Sequence, residues 1–177
     1  KKTPSKKIYS ICVGNIYVGG TGKTPTTIKL FKMLEKTYKK VTTAKKFYFS
    51  QEDEINLLKN KTNFLTSKNR PQIIKEAINK GFKIIIFDDG LQDKNINYDL
   101  KIVCFDTLSW IGNGQLIPAG PLREKISSLK KYDVVFLKDI AKKNNKIIKL
   151  IKNINPNIKI FNTKYVIRNL KKFNLKK

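Results

Sequence analysis

Short apolar runs bounded by turn residues alternate along this chain with stretches whose apolar positions recur at helical spacing. That alternation is the sequence form of a parallel sheet covered by helices. Residues 8–13 predict a first strand. Residues 25–36 predict a first helix with Ile28, Phe31 and Leu34 on one face, Pro25 being acceptable because it falls in the first turn. Residues 41–49 read as extended, 50–58 as a short helix, 64–66 as a short strand, and 71–80 as a helix stopped by Gly81. Residues 83–87 carry Ile84, Ile85 and Ile86 in succession, a pattern apolar on both faces that suits a central, doubly covered strand. Further strands are expected at 100–105, 132–137 and 158–167, and a lysine-rich helix at 144–153. A Gly/Pro-rich loop spans 107–122, and no internal repeat is present.

Composition sharpens this picture. The 177 residues are 40% hydrophobic, enough for a real core in one domain, expected at 1–170 with a basic tail at 171–177. Lys and Arg number 38 against 13 Asp and Glu, a formal charge of +25. Of those 38, 35 are Lys and three are Arg (Arg70, Arg123 and Arg168), with the lysines scattered along the whole chain. A nucleic-acid reader invests in arginine, whose planar fork grips guanine and phosphate, and interleaves it with stacking aromatics. The pattern here is instead a solvated lysine surface, and no nucleic-acid partner is expected. Attraction to anionic membranes or phosphorylated ligands follows from it as a secondary effect.

These residues include no histidine, which excludes a Ser/His/Asp triad, a Cys/His dyad, a histidine general base and an imidazole zinc site built from them. Cys12 and Cys104 each lie in an apolar run, as reduced thiols of a cytosolic protein do. No stretch reaches the roughly 18 apolar residues of a membrane span, and residues 1–7 lack the hydrophobic segment of a signal peptide.

The strongest chemical signal is Gly19-Gly20-Thr21-Gly22-Lys23-Thr24, set between the first strand and the first helix. Glycines let successive amides point into one concavity, and the helix N-terminus adds its partial positive charge there. Tyr17, Val18 and the four residues from Gly19 to Gly22 would line a polyphosphate site. Lys23 would reach its β and γ phosphates, and the Thr24 hydroxyl would ligate Mg²⁺. Tyr17 stands where the generic P-loop pattern has glycine. The fold expected is therefore α/β and P-loop NTPase-like, a mostly parallel sheet with helices on both faces.

Asp88 and Asp89 follow the triple-isoleucine strand and emerge at the same carboxyl edge of the sheet, where open α/β sheets bind ligands. Asp88 could hold the metal, and its neighbour could orient or deprotonate an acceptor hydroxyl. The plain alternative is an Asp-Gly turn. Asp53 ends Ser50-Gln51-Glu52-Asp53, which matches a helix capping box. Arg123, at the end of the Gly/Pro-rich loop, is either a phosphate clamp or a surface ion pair with Glu124 or a neighbour.

Three blocks stand in order: Val13-Gly14-Asn15 running into Gly19 through Pro25, then Asp88-Asp89-Gly90-Leu91-Gln92, then Gly112-Asn113-Gly114 through Pro118-Ala119-Gly120-Pro121-Leu122-Arg123-Glu124. Together they resemble tetraacyldisaccharide 4'-kinase, the lipid A 4'-kinase of Gram-negative bacteria, whose own loop shares the Tyr17 departure. The resemblance implies an enzyme peripheral to the cytoplasmic face of the inner membrane. With ATP and Mg²⁺ it would phosphorylate the 4'-hydroxyl of a tetraacyldisaccharide 1-phosphate, the lipid A precursor, without an obligate protein partner. It also implies a second role for Asp53, because Glu52-Asp53-Glu54-Ile55 looks like the family's Gly-Asp-Glu-Pro stretch, which carries the acceptor-activating base. The family's Arg-Gly-Tyr-Gly segment is missing, Lys45-Lys46-Phe47 standing in that region. The family's membrane helix before the first strand, and its histidine-bearing second domain, have no counterpart in these residues, so the chain is expected to be the nucleotide-binding part of such an enzyme. A P-loop ATPase or GTPase switch, or a basic nucleic-acid-binding protein with a vestigial nucleotide site, are the alternatives.

Overall fold

The structure, a computed structural model, describes residues 8–138 and 145–164. Seven strands form one parallel sheet: β1 (Tyr9–Gly14), β2 (Val41–Lys46), β3 (Phe64–Ser67), β4 (Ile84–Asp88), β5 (Leu100–Asp106), β6 (Val134–Lys138) and β7 (Lys159–Thr163). Their spatial order is β3-β2-β4-β1-β5-β6-β7. Among the described residues four α-helices connect them: α1 (Lys23–Leu34), α2 (Glu52–Lys61), α3 (Arg70–Asn79) and α4 (Asn145–Ile154). The expected α/β sheet is the one observed.

Alternation along the central strands explains why helices cover both faces. Ile84 and Ile86 of β4 pack with Ile11, Val13, Ile102 and Cys104 against Phe31 of α1. The intervening Ile85 and Phe87 pack with Cys12 and Ala44 against Ile73, Ile74 and Ala77 of α3. Val103 and Phe105 of β5 meet Val135, Leu137 and Ile151 of α4. A run of three isoleucines is required because a central parallel strand has no solvent face.

Boundaries moved by one to four residues from those expected. Helix α1 starts at Lys23, two residues before Pro25, which still lies in its first turn. The last strand ends at Thr163, short of Lys164; residues 165–167 of its expected extension and the tail at 171–177 lie outside the described residues. One correction concerns local chemistry. Helix α2 begins at Glu52 with Gln51 at its N-cap position and no side-chain cap bond, so Ser50-Gln51-Glu52-Asp53 forms no capping box. A 3₁₀ turn at Phe49–Gln51 takes up the residues that the box would have used.

The topology decides where chemistry can happen. From β1 the chain crosses to β2 and β3 on one side, returns to β4 beside β1, and then passes to β5 on the other side. This reversal leaves a crevice at the carboxyl ends of β1 and β4, the place where ligands bind in open α/β sheets. Register puts Val13 beside Asp88, so the phosphate-loop candidate and the paired acids share that crevice.

Candidate active site

The loop after β1 is held open by its own buried polar chemistry. Asn15, fully buried, directs its Nδ2 at the Tyr17 carbonyl, the Gly19 carbonyl at 3.3 Å and Thr21 Oγ1 at 3.1 Å. Gly22 is the N-cap of α1 at φ 83°, a left-handed conformation suited to glycine, and no side chain caps the helix. The first amides of a helix lack intrahelical acceptors, so this end offers unpaired N–H groups and the positive pole of the helix to an anion. A side chain at Gly20 would meet nothing within 4 Å, so the concavity above the loop is open.

The Gly/Pro-rich loop forms the opposite wall. Val18 N–H donates to the Pro121 carbonyl and Arg123 N–H to the Ile16 carbonyl, both at 2.8 Å. Its own fold is fixed internally: Asn113 Nδ2 donates to the Ala119 carbonyl at 2.9 Å, and Gln115 N–H to Asn113 Oδ1 at 3.1 Å. Gln92, just beyond the paired acids, donates to the Asn15 carbonyl at 3.0 Å and to Glu124 Oε1 at 2.8 Å. Tyr132 OH donates to the same Glu124 oxygen at 2.8 Å. All three sequence blocks therefore meet in one hydrogen-bonded unit.

Asp88, with no exposed surface, is the hub. Its Oδ2 accepts from Thr24 Oγ1 at 2.9 Å and from Lys45 Nζ at 2.9 Å, and its Oδ1 accepts from Thr27 Oγ1 at 3.2 Å. The Thr24 hydroxyl and the Asp88 carboxylate are a pair of hard oxygens at the mouth of the phosphate loop. Among the described residues no group of three or more His, Cys, Asp or Glu could hold a metal. Mg²⁺ fits such a two-oxygen site because it keeps waters and takes its remaining ligands from substrate phosphates.

Asp89 sits at φ 69°, outside the usual range for a carboxylate-bearing residue. Its Oδ1 accepts from the Gly90 N–H at 2.9 Å and its Oδ2 from Arg123 Nη1 at 3.2 Å. Burial pushes the Asp89 carboxyl up, but Lys23, Arg123 and Lys45 outweigh it and hold the group below its ordinary value. Beneath this turn lies Arg70 of α3, itself buried, donating to the Asp89 carbonyl at 3.2 Å and to Asp93 at 2.9 Å. Gly90, at φ 137°, lets the turn lie on Arg70: a Cβ there would come within 2.6 Å of Arg70 Nε and 2.8 Å of the Tyr98 hydroxyl.

Asp53 lies exposed in the first turn of α2, which packs against α1. Its neighbour Glu54 reaches the site, pairing with Lys45 Nζ at 2.6 Å. Lys45 is 1% exposed, although it stands in the region where the resemblance lacked its Arg-Gly-Tyr-Gly segment. Burial disfavours its charge, but Asp88 and Glu54 more than compensate and raise its pKa. Neither the buried hub lysine nor Thr27 carries a spacing signal in the sequence; Asn15 and Gln92 stand inside the quoted blocks, but nothing in their spacing says what they bond. Cys12 and Cys104 are both buried and free, and burial lifts the Cys104 thiol to about 12, so neither offers a thiolate at neutral pH.

The profile of the LpxK family, tetraacyldisaccharide-1-P 4'-kinase, matches residues 1–176. The chain belongs to this family. It is 48% identical over 172 residues to the tetraacyldisaccharide 4'-kinase of Pelagibacter ubique (strain HTCC1062), covering 97% of this chain and 55% of that protein. It is 39% identical to the tetraacyldisaccharide 4'-kinase of Ruthia magnifica subsp. Calyptogena magnifica over 71% of this chain and 46% of the relative. This tetraacyldisaccharide-1-P 4'-kinase family member thus spans about half the length of the curated relatives it matches. Among solved structures, the "apo" form of LpxK from Aquifex aeolicus in complex with ATP superposes with a TM-score of 0.60 at 19% identity, over 93% of this chain and 72% of that one. The signal recognition particle 54 kDa protein of Aeropyrum pernix K1 in complex with GDP gives 0.58 at 13% identity, over 91% of this chain and 43% of that one. At those identities the superpositions show the P-loop fold that this family member shares with them.

Proposed function

We propose that this chain is the nucleotide-binding part of an ATP-dependent, Mg²⁺-assisted kinase. The enzyme transfers the γ-phosphoryl group to the 4'-hydroxyl of a tetraacyldisaccharide 1-phosphate at the cytoplasmic face of the inner membrane. The single observation that carries the reading is the 2.9 Å contact between Thr24 Oγ1 and Asp88 Oδ2 at the open end of α1. It joins the phosphate loop to a buried carboxylate across two strands that are far apart in sequence. Family membership and the ATP-complexed LpxK relative support the choice of nucleotide, and the family name supports the acceptor.

In this reading the backbone from Tyr17 to Gly22 cradles the polyphosphate, and Lys23 neutralises its β and γ oxygens. Thr24 and Asp88 would hold Mg²⁺, which when bound shields phosphate charge and fixes the reacting oxygens. Arg123 turns from Asp89 toward the transferred group and stabilises the charge that develops on it. Asp89 keeps Arg123 and Lys23 oriented until the triphosphate arrives. Asp53 accepts the proton of the sugar hydroxyl as it attacks. Catalysis by such a site is mostly positioning and charge stabilisation, so loss of one preorganised group costs on the order of 100 to 1000-fold in rate.

The test is thermal. MgATP should raise the melting temperature of the wild-type chain, and Lys23→Ala should abolish that rise while leaving the nucleotide-free melting temperature near its original value. A rise of equal size in the variant would remove the loop from the nucleotide site.

A further inference from the structure

A fully buried lysine is uncommon, and one that bridges two acids from different elements has a geometric consequence. Lys45 Nζ lies 2.9 Å from Asp88 Oδ2 at the end of β4 and 2.6 Å from Glu54 Oε2 in the first turn of α2. Asp88 is fully buried, whereas the Glu54 side chain is 44% exposed. The ammonium therefore connects the floor of the phosphate crevice to the rim where α2 begins. Helix α2 has no side-chain cap bond, and Ile55 and Leu58 are its buried residues, so the Lys45–Glu54 contact is a polar tie at its N-terminal end. The same ammonium shares Oδ2 with the Thr24 hydroxyl, the oxygen pair assigned above to the metal.

We propose that Lys45 is a positioning residue with two ends: through Glu54 it fixes the acid-bearing turn of α2 over the crevice, and through Asp88 it tunes how strongly the crevice takes a divalent cation. The first end stands on geometry alone; the second rests on the nucleotide reading given above. Without the tie, the turn carrying Asp53 and Glu54 keeps the 3₁₀ turn before it and the buried Ile55 but loses this polar anchor to the sheet. Without the ammonium, Asp88 keeps its two threonine donors and loses a competing positive charge, so a metal ion binds Oδ2 more tightly.

Three variants of the full chain test this: Glu54→Gln, Lys45→Met and Lys45→Arg. Two readouts are used, amide hydrogen exchange across residues 52–61 and the Mg²⁺ concentration giving half of the ATP-dependent melting shift. Glu54→Gln alters an exposed side chain and leaves the core intact, so it remains informative if Lys45→Met is too unstable to fold. Glu54→Gln is expected to speed exchange in the first turns of α2 by about tenfold, leave β1 and β4 protected, and leave the Mg²⁺ midpoint in place. Lys45→Met should speed the same amides and lower the Mg²⁺ midpoint several-fold. Lys45→Arg, which keeps a cation with more than one donor, should restore protection of α2. Unchanged α2 exchange in Glu54→Gln overturns the positioning role, and an unmoved Mg²⁺ midpoint in a folded Lys45→Met overturns the metal-tuning role. Absence of any ATP-dependent melting shift in the wild-type chain would instead sink the nucleotide reading, leaving the exchange comparison to judge the tie.

Discussion

At the scale of single residues, Asp88, Asp89 and Asp93 each hold a named basic partner: Lys45, Arg123 and Arg70. Asp93 shows how such pairing couples to pH. Its Oδ2 accepts from Arg70 Nη1 at 2.9 Å and its Oδ1 from the Asn95 N–H at 3.0 Å. Burial pushes the Asp93 carboxyl up, but the Asn95 amide and Arg70 outweigh it and hold the group below its ordinary value. A carboxyl depressed on folding contributes stability that is complete above its unfolded value, about 3.9, and is lost as pH falls through the lower folded value. Asp93→Asn should therefore cost about 1–2 kcal/mol at neutral pH, as expected for a charge-assisted bond to a buried guanidinium. Wild-type and variant urea midpoints should converge as the pH is lowered from about 4. A gap between them that stays constant to the lowest pH would mean that Asp93 does not act through its charge. The same Arg70 bonds the Asp89 carbonyl, so this pairing also steadies the turn that carries Asp89.

At the scale of elements, the loop after β1 is shaped by one side chain and one neighbouring loop. Asn15 supplies the internal bonds, and the Gly/Pro-rich segment supplies the outer ones through Pro121 and the Arg123 amide. Asn15→Ala would take the Nδ2 donor from the Tyr17 carbonyl and remove the Thr21 partner. The expected cost is about 1–3 kcal/mol in chemical denaturation. A larger relative loss is expected in the MgATP-dependent melting shift, because the loop would no longer present its amides in one direction. A variant with reduced stability but an intact shift would show that the outer bonds alone shape the loop. Much of this scale was legible in the sequence, since the apolar periods predicted each described strand and α-helix to within a few residues, though not the 3₁₀ segments, and the glycine pattern marked the loop. Helix α2 was harder, because a capping-box pattern is local while the start of α2 is set by the 3₁₀ turn and by Glu54 reaching Lys45. Lys45 itself was illegible: a strand of Val, Thr, Thr, Ala and Lys gives no sign that its lysine turns inward until β4 is known to lie beside it.

At the scale of the whole molecule, the governing fact is 38 basic against 13 acidic residues. Five of those acids are spent on cations in or beside the fold's interior: Asp88 and Glu54 on Lys45, Asp89 on Arg123, Asp93 on Arg70, and Asp106 on Lys138. What faces solvent is therefore dominated by lysine, and the surface carries a positive potential that attracts anions without specifying them. Among the described residues no helix is long and apolar enough to cross a membrane. A lysine near an anionic leaflet is worth about 1 kcal/mol, and the attraction decays within a Debye length, roughly 10 Å at 0.1 M salt. The chain should accordingly sediment with vesicles containing anionic phospholipid at low ionic strength, and dissociate as salt is raised toward about 0.5 M. It should ignore vesicles of zwitterionic lipid alone. Lys23→Ala should bind vesicles as the wild type does, since one charge in a field of +25 matters little at the surface. Equal partitioning onto zwitterionic vesicles, or salt-resistant binding, would mean that apolar insertion and not the lysine field carries the chain to the membrane.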